Sequence, residues 1–242
     1  MLAGVSVDPS TQMEDNFDYS NVVIKKPWGR EYLIFKNKEA AVWVLHLNKG
    51  YRTSTHCHPN KKTSLTVLAG EINCRTLETQ HSLRAGDGLL IDKGVFHCTE
   101  ALSPEEVIVM EVETPINKQD LVRLHDLYGR SGMRYEGQEH HQQFDKSICH
   151  FNNSSDRYRC VKQFGECEVT LIDANSEEEF KNILNLGGAD VVALLQGSLG
   201  SSSGKNIMEV GDSMPWSDLC NIPEIRLQGK IELLLINHIK EI

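Results

Sequence analysis

His56 and His58 stand one residue apart in the stretch GYRTSTHCHPNKKT, residues 50–63. Side chains alternate along an extended strand, so the two imidazoles fall on one face and can bind one metal ion together. The same spacing puts Glu111 and Glu113, either side of Val112, on one face of a later segment. Turned inward, one of these carboxyls could act as a base or a replacement ligand. Turned outward, both belong to a solvated face, and that is the preferred reading. Lys61 and Lys62 follow the histidines. They read first as solvated loop lysines and alternatively as cations that hold a phosphate at the mouth of a site. His46 is a candidate to support the metal ligands from behind.

These residues need strands to position them. From Val22 to about Glu113 the chain reads as short strands between turns. The segments AAVWVLHL (40–47), SLTVLAGEINC (64–74), HSLRAGDGLLI (81–91) and EEVIVMEVE (105–113) carry the apolar content, with glycines between them. Even spacing of this kind predicts a sandwich or small barrel. The spacing of Leu121, Leu124 and Tyr128 predicts a helix over 117–130, capped by Asn117 and ended by Gly129. Residues 1–20 are polar and aperiodic and read as a flexible arm, without the basic start and apolar core of a signal peptide. Residues 131–156 read as a linker, with His140 and His141 exposed in it.

A second block, 157–242, repeats the order of the first. VALLQGSL parallels LTVLAGEI, and MEVGDSMPW parallels LRAGDGLLI, which indicates an internal duplication. The second copy lacks the His pair and any His after its Gly-Asp turn. It also holds a predicted short helix opening at Ser176 with Glu179 in a capping box. GSLGSSSGKN (197–206) does not fit a phosphate-binding loop, because Leu199 and Asn206 occupy positions that need Gly and Ser or Thr; a hairpin is the better account.

The formal net charge of -9, with no basic stripe, argues against nucleic-acid binding. No apolar run approaches the roughly 20 residues of a membrane span. Seven cysteines without framework spacing suggest a reducing, cytoplasmic setting. The sequons at Asn152 and Asn153 then carry no meaning.

Gly50, five residues, His56-Cys57-His58, four residues, Thr63, six residues and Gly70 together resemble the first motif of the cupins, with Thr63 where that motif has Glu. Gly86, Asp92, Gly94 and His97 resemble the second motif, with Asp92 in place of its usual Pro. The resemblance implies a mainly β fold, a double-stranded β-helix barrel, with a second, degenerate cupin-like half. It implies that His56, His58 and His97 point into the barrel and share one divalent transition metal. Three neutral imidazoles suit zinc, iron, nickel, copper or manganese. Thr63 then stands beside the ligands in place of one, while Cys57 and Cys98 point away as packing residues.

KKPWGREYLI (25–34) and DLVRLHDLYGR (120–130) bracket this region. They look like the start and finish of the cupin domain of type II phosphomannose isomerases, found fused to mannose-1-phosphate guanylyltransferases. The likeness covers residues 22–130. It implies a phosphorylated or sugar-derived small-molecule substrate, with Arg123 as a candidate contact; the cupin resemblance implies a homodimer paired through an edge strand, or the same pairing supplied by the second half within one chain. The departures are Ser54, Pro59 and Thr63, where that group has Gln, Arg and Glu. The expected organisation is an arm (1–20), a metal-binding cupin domain (21–130), a linker (131–156) and a degenerate half (157–242). The leading expectation is a metal-dependent, isomerase-like enzyme of sugar-phosphate or activated-sugar metabolism. A three-His Fe(II) oxygenase and a non-catalytic binding protein are the alternatives.

Overall fold

The computed structural model describes residues 17–143, 151 and 159–239. The first half supplies β1 (Val22–Lys26), β2 (Gly29–Lys36), β3 (Ala41–Leu47), β4 (Thr55–Cys57), β5 (Lys62–Ala69), β6 (Glu71–Thr76), β7 (Gln80–Arg84), β8 (Gly88–Ile91), β9 (His97–Ala101), β10 (Val107–Thr114), β11 (Val122–His125) and β12 (His141–Gln143). The second half supplies β13 (Arg159–Phe164), β14 (Cys167–Ala174), α1 (Glu177–Leu186), β15 (Val191–Ser201), β16 (Asn206–Met208), β17 (Ser213–Pro215), α2 (Trp216–Cys220) and β18 (Ile225–His238).

The first half is a double-stranded β-helix of two antiparallel sheets. One runs β12-β1-β2-β3-β10-β5-β8 and the other β11-β4-β9-β6-β7. Strand β3 is buried along its whole length. Its odd residues Trp43, Leu45 and Leu47 enter the barrel core. Its even residues Val42 and Val44 enter a second core shared with β13, β14, β15 and β18. A strand apolar on both faces is what a sheet covered on both sides requires.

That shared core explains a reversal on β10. Met110 and Val112 pack toward the second half, while Val107 and Val109 face the barrel interior. Glu111 and Glu113 therefore point inward, against the solvated-face reading. A lone strand cannot say which of its faces is buried; the second half decides it by covering the apolar one.

In the second half, one sheet runs β13-β14-β18-β15-β16, with β17 on β15. The pairing of β13-β14-β18-β15-β17 repeats that of β2-β3-β10-β5-β8. Thr66 faces Gly88 and Leu65 faces Leu89, as Ala193 faces Ser213 and Val192 faces Met214. The Gly-Asp turns match bond for bond. Gly86 N donates to Val67 O and Val67 N to Asp87 O, as Gly211 N donates to Leu194 O and Leu194 N to Asp212 O. Gly86 (φ 89°) and Gly211 (φ 87°) share a left-handed conformation that favours glycine. The duplication seen in the sequence is therefore a repeat of one barrel sheet and its Gly-Asp turn, compatible with a bicupin. Where the first copy has β4, the second has α1 between the corresponding strands. Its Ser176 side chain accepts from Glu179 N, and Phe180 and Ile183 are buried, as the capping box predicted. The rejected phosphate loop is the β15–β16 hairpin.

Three expectations change. The predicted helix over 117–130 is instead a turn and the strand β11, paired to β4. The Asp120 carboxylate accepts from Asn60 N, Asn60 Nδ2 and Lys61 N, which ties the segment to the His-bearing strand. Leu124, assigned to the buried face of that helix, is exposed, and the period is two. The first part of the expected linker belongs to the barrel: Glu136 is buried, and β12 pairs with β1. The arm reading fails for its end, where Tyr19 is buried with its ring 5.5 Å from that of Trp43. Residues 1–16 lie outside the described residues, as do Asn152 and Asn153. No described helix is long and apolar enough to cross a membrane.

Candidate metal centre

Strand β4 presents His56, with His58 just beyond its end, and β9 presents His97, which pairs directly with His56. The three offer ligand nitrogens within 4.8 Å of one another. Each Nδ1 lies against a backbone carbonyl: His56 on Ser54 at 2.8 Å, His58 on Asp120 at 2.6 Å and His97 on Val95 at 3.0 Å. A carbonyl only accepts, so each Nδ1 must carry the proton. Each Nε2 then keeps its lone pair, the tautomer a metal ligand needs. His58 Nε2 is buried and has no hydrogen-bond partner among the described residues. A buried nitrogen left unpaired costs about 1–3 kcal/mol unless something binds it.

The electrostatics agree. Burial holds the pKa values of His56 and His58 well below the ordinary imidazole value, reinforced by neighbouring imidazoles and by the Lys61 ammonium. His97 is lowered by burial and Lys61 as well. Three neutral, convergent imidazoles fit a borderline divalent metal such as zinc or iron. Thr63 fills the position where the resemblance expects a carboxylate. It is buried, and its hydroxyl is without a partner among the described residues.

The histidines open into a pocket of about 590 Å³. Lys26, Lys61, Lys118, Arg123 and Arg130 bring positive charge to its wall, and Glu31, Glu111 and Glu136 bring negative. These form two linked networks. In one, Glu113, fully buried, accepts from Lys61 Nζ at 2.6 Å and Trp43 Nε1 at 3.0 Å, with Lys118 Nζ 3.7 Å away. Lys118 also lies 3.7 Å from the Trp43 ring centroid and 3.5 Å from Glu31. In the other, Glu136 gathers Lys26, Arg123 and Arg130. The Tyr135 hydroxyl donates to Glu31. Burial alone would raise the Glu31 carboxyl, but Lys118, Lys26 and Tyr135 together hold it down at about 2.

Glu111 differs from the other carboxyls here. It lines the pocket, and no ion pair or hydrogen bond holds its carboxylate among the described residues. Burial raises its pKa; Lys118 opposes the shift and Glu113 adds to it.

The structure brings His56, His58, His97, Lys61, Glu111 and Arg123 to one pocket, with Glu113 and Thr63 packed behind it. It separates two candidates from it. Lys62 points the other way along β5 and bonds Asp212 in the second half at 2.6 Å. His46 does not touch the ligands; it sits on the opposite face of β3, between Glu106 at 2.7 Å and the Tyr32 hydroxyl at 3.2 Å. Both results follow from alternation: the odd residues of β3 face the barrel, and His46 is even. Lys61, in the connection between β4 and β5, is not solvated either, being only 1% exposed.

Lys26, Glu31, Lys118, Tyr135 and Glu136 were not singled out from the sequence. Lys26 and Glu31 stand inside the bracketing segment KKPWGREYLI, which is the signal that could have found them. Lys118 and Tyr135 carry none.

Residues 43–113 match the cupin domain family. The matched stretch runs from β3 to β10 and contains all three histidines. No curated protein sequence matches the chain. Among solved structures, KdgF from Halomonas sp. is 16% identical, with a TM-score of 0.36 over 38% of this chain and 83% of that one. A conserved protein with a double-stranded β-helix domain from Klebsiella pneumoniae is 24% identical, with a TM-score of 0.37 over 40% and 84%. The capsular polysaccharide assembling protein CapF from Staphylococcus aureus is 18% identical, with a TM-score of 0.40 over 46% and 36%.

Proposed function

We propose that this cupin is a metal-dependent enzyme acting on a sugar phosphate or an activated sugar, with isomerase-like proton transfer. The observation that carries the reading is the placement of Glu111, a carboxyl held by no ion pair, in the same pocket as three imidazoles whose Nε2 atoms converge. His56, His58 and His97 would hold the metal, which as a Lewis acid would polarise a substrate carbonyl or hydroxyl oxygen. Glu111 would take the proton from the hydroxyl-bearing carbon beside the carbonyl and return it to the carbonyl carbon, while the hydroxyl proton passes to the former carbonyl oxygen, so the double bond to oxygen moves by one position. A raised carboxyl pKa suits a group that must both accept and give back a proton near neutrality. Lys26, Arg123 and Arg130 form a cationic end where the phosphate would lie. The bracketing segments that resemble the phosphomannose isomerase group supply Lys26, Glu31, Arg123 and Arg130, which supports a phosphorylated sugar as the ligand.

The test uses metal-loaded full-length protein with a panel of hexose and pentose phosphates and nucleotide sugars in deuterated water. Deuterium should enter the carbon beside the carbonyl. Glu111→Gln should abolish exchange while metal and sugar binding remain. Absence of both binding and exchange across the panel sinks the proposal. Thr63 in the carboxylate position favours one second reading, an Fe(II) oxygenase with a neutral three-His set. Oxygen uptake dependent on Fe(II) and a substrate would select it.

A further inference from the structure

The two halves pack against each other with reciprocal contacts. In one direction, a Cβ at Gly86 would lie 3.1 Å from His238 Cβ and 3.6 Å from Asp190 Oδ2. In the other, a Cβ at Gly211 would overlap the Thr114 methyl and lie 3.3 Å from Lys62 Cε. The registers make these equivalent. Ser64 pairs with Val112 as Val191 pairs with Ile236, so Thr114 and Lys62 correspond to His238 and Ala189. Each half therefore sets its Gly-Asp turn on the other half's central strands.

The symmetry is broken at one point. Asp87 Oδ2 accepts from Arg84 N at 2.9 Å inside its own turn, and its counterpart across the interface is Ala189, which cannot bond it. Asp212 Oδ2 makes the same turn bond, from Glu209 N at 2.7 Å. Its Oδ1 additionally accepts from Lys62 Nζ at 2.6 Å. The extra bond falls on the side that carries the histidines. Lys62 pairs with Thr114 across the β5–β10 ladder. Their chain neighbours Lys61 and Glu113 turn inward and form the buried ion pair behind the pocket. Lys61 in turn stands within electrostatic reach of all three histidines.

We propose that Asp212 and Lys62 form a brace through which the second half holds the Lys61–Glu113 pair, and with it the back wall of the metal pocket, in place. Asp212 is a positioning residue contributed by the degenerate copy. Gly211 lets the turn approach β10 closely enough for the bond to form. The functional meaning of the brace rests on the proposed use of this pocket, but its existence does not, and the first readout needs no activity.

The experiment measures the rate at which an amine-reactive acylating reagent labels each lysine of the full-length protein, read by peptide mass spectrometry. Lys61 is 1% exposed and should label slowly in the wild type. Asp212→Asn should speed labelling of Lys61 by about fivefold, the effect of losing one partly buried pair, with Lys26, which is held by Glu136 and Glu31, unchanged. Asp87→Asn, in the equivalent turn, should change nothing. The charge swap Lys62→Asp with Asp212→Lys should restore protection. In parallel, Co(II) absorption at the three histidines should show a changed ligand-field band in Asp212→Asn and a wild-type band in the swap. If Lys26 speeds up together with Lys61, the effect is global loosening and the brace is refuted. Unchanged Lys61 labelling in Asp212→Asn also refutes it, as does failure of the swap to rescue. If the brace holds while no sugar is turned over, the proposed activity alone fails.

Discussion

Replacing Glu113 by Leu is the sharpest test of how this pocket is held together. Glu113 is 0% exposed and Lys61 1% exposed, so no solvent screens the pair. The carboxylate accepts from Lys61 at 2.6 Å and from the Trp43 indole at 3.0 Å. Its removal leaves the Lys61 ammonium buried without a hydrogen-bond partner and takes one of two counter-charges from Lys118. Breaking a buried pair from one side costs about 3–5 kcal/mol. For a chain of this size each kcal/mol lowers the melting temperature by roughly 2–4 °C, so Glu113→Leu should melt about 6–20 °C below the wild type. The double variant Lys61→Met with Glu113→Leu removes both charges and keeps the volume. It should recover most of the loss, because desolvating an ion pair offsets much of its attraction. Urea unfolding followed by tryptophan fluorescence reads both, since Trp43 lies against the pair. A single variant within about 1 kcal/mol of wild type would refute the reasoning. So would a double variant no more stable than the single one.

Other outcomes follow from the same geometry. His97→Ala should lower Co(II) affinity by about 100-fold or more with the β circular-dichroism signal intact; calorimetric titration checks it, and wild-type affinity would remove His97 from the ligand set. The Glu31 carboxyl, at about 2 when folded against an ordinary 4.5, contributes stability that is present above pH 4.5 and is lost as the pH falls toward 2. Glu31→Gln should flatten that part of the stability–pH curve, by about 3 kcal/mol across the window; an unchanged slope contradicts the assignment. Gly29→Ala should abolish soluble expression, because the backbone there has φ 150° and a Cβ would collide with the His46 carbonyl oxygen. Gly50→Ala, with φ 74° but open space around it, should cost only about 1 kcal/mol.

Alternation made much of the barrel legible. The HxH spacing placed His56 and His58 on one face, and the glycine offsets brought in His97 as their partner. The repeated Gly-Asp turns announced a second copy, and the hydrogen bonds of Gly86 and Gly211 agree with it in detail. Local chemistry was equally clear at α1, where the Ser176 side chain accepts from Glu179 N and the Glu179 carboxylate from Asn175 N, a cap that needs no tertiary help. The segment 117–130 was misread because its apolar spacing suits a helix. Its real partners, Asn60 and Lys61, are about 60 residues away and invisible to a local pattern.

The sequence by itself determined which residues share a face of each strand: His56 with His58, Glu111 with Glu113, Lys61 with Thr63. It also determined that the second copy lacks these histidines. Only the tertiary structure decided which face is inside. The second half covers the apolar side of β3 and β10. That leaves Glu111, Glu113 and Lys61 to the barrel, and it sends Lys62 across the interface to Asp212. Alternation assigns a face up to a choice of sign. The sign is set by what packs against the strand, and that comes from the other end of the chain.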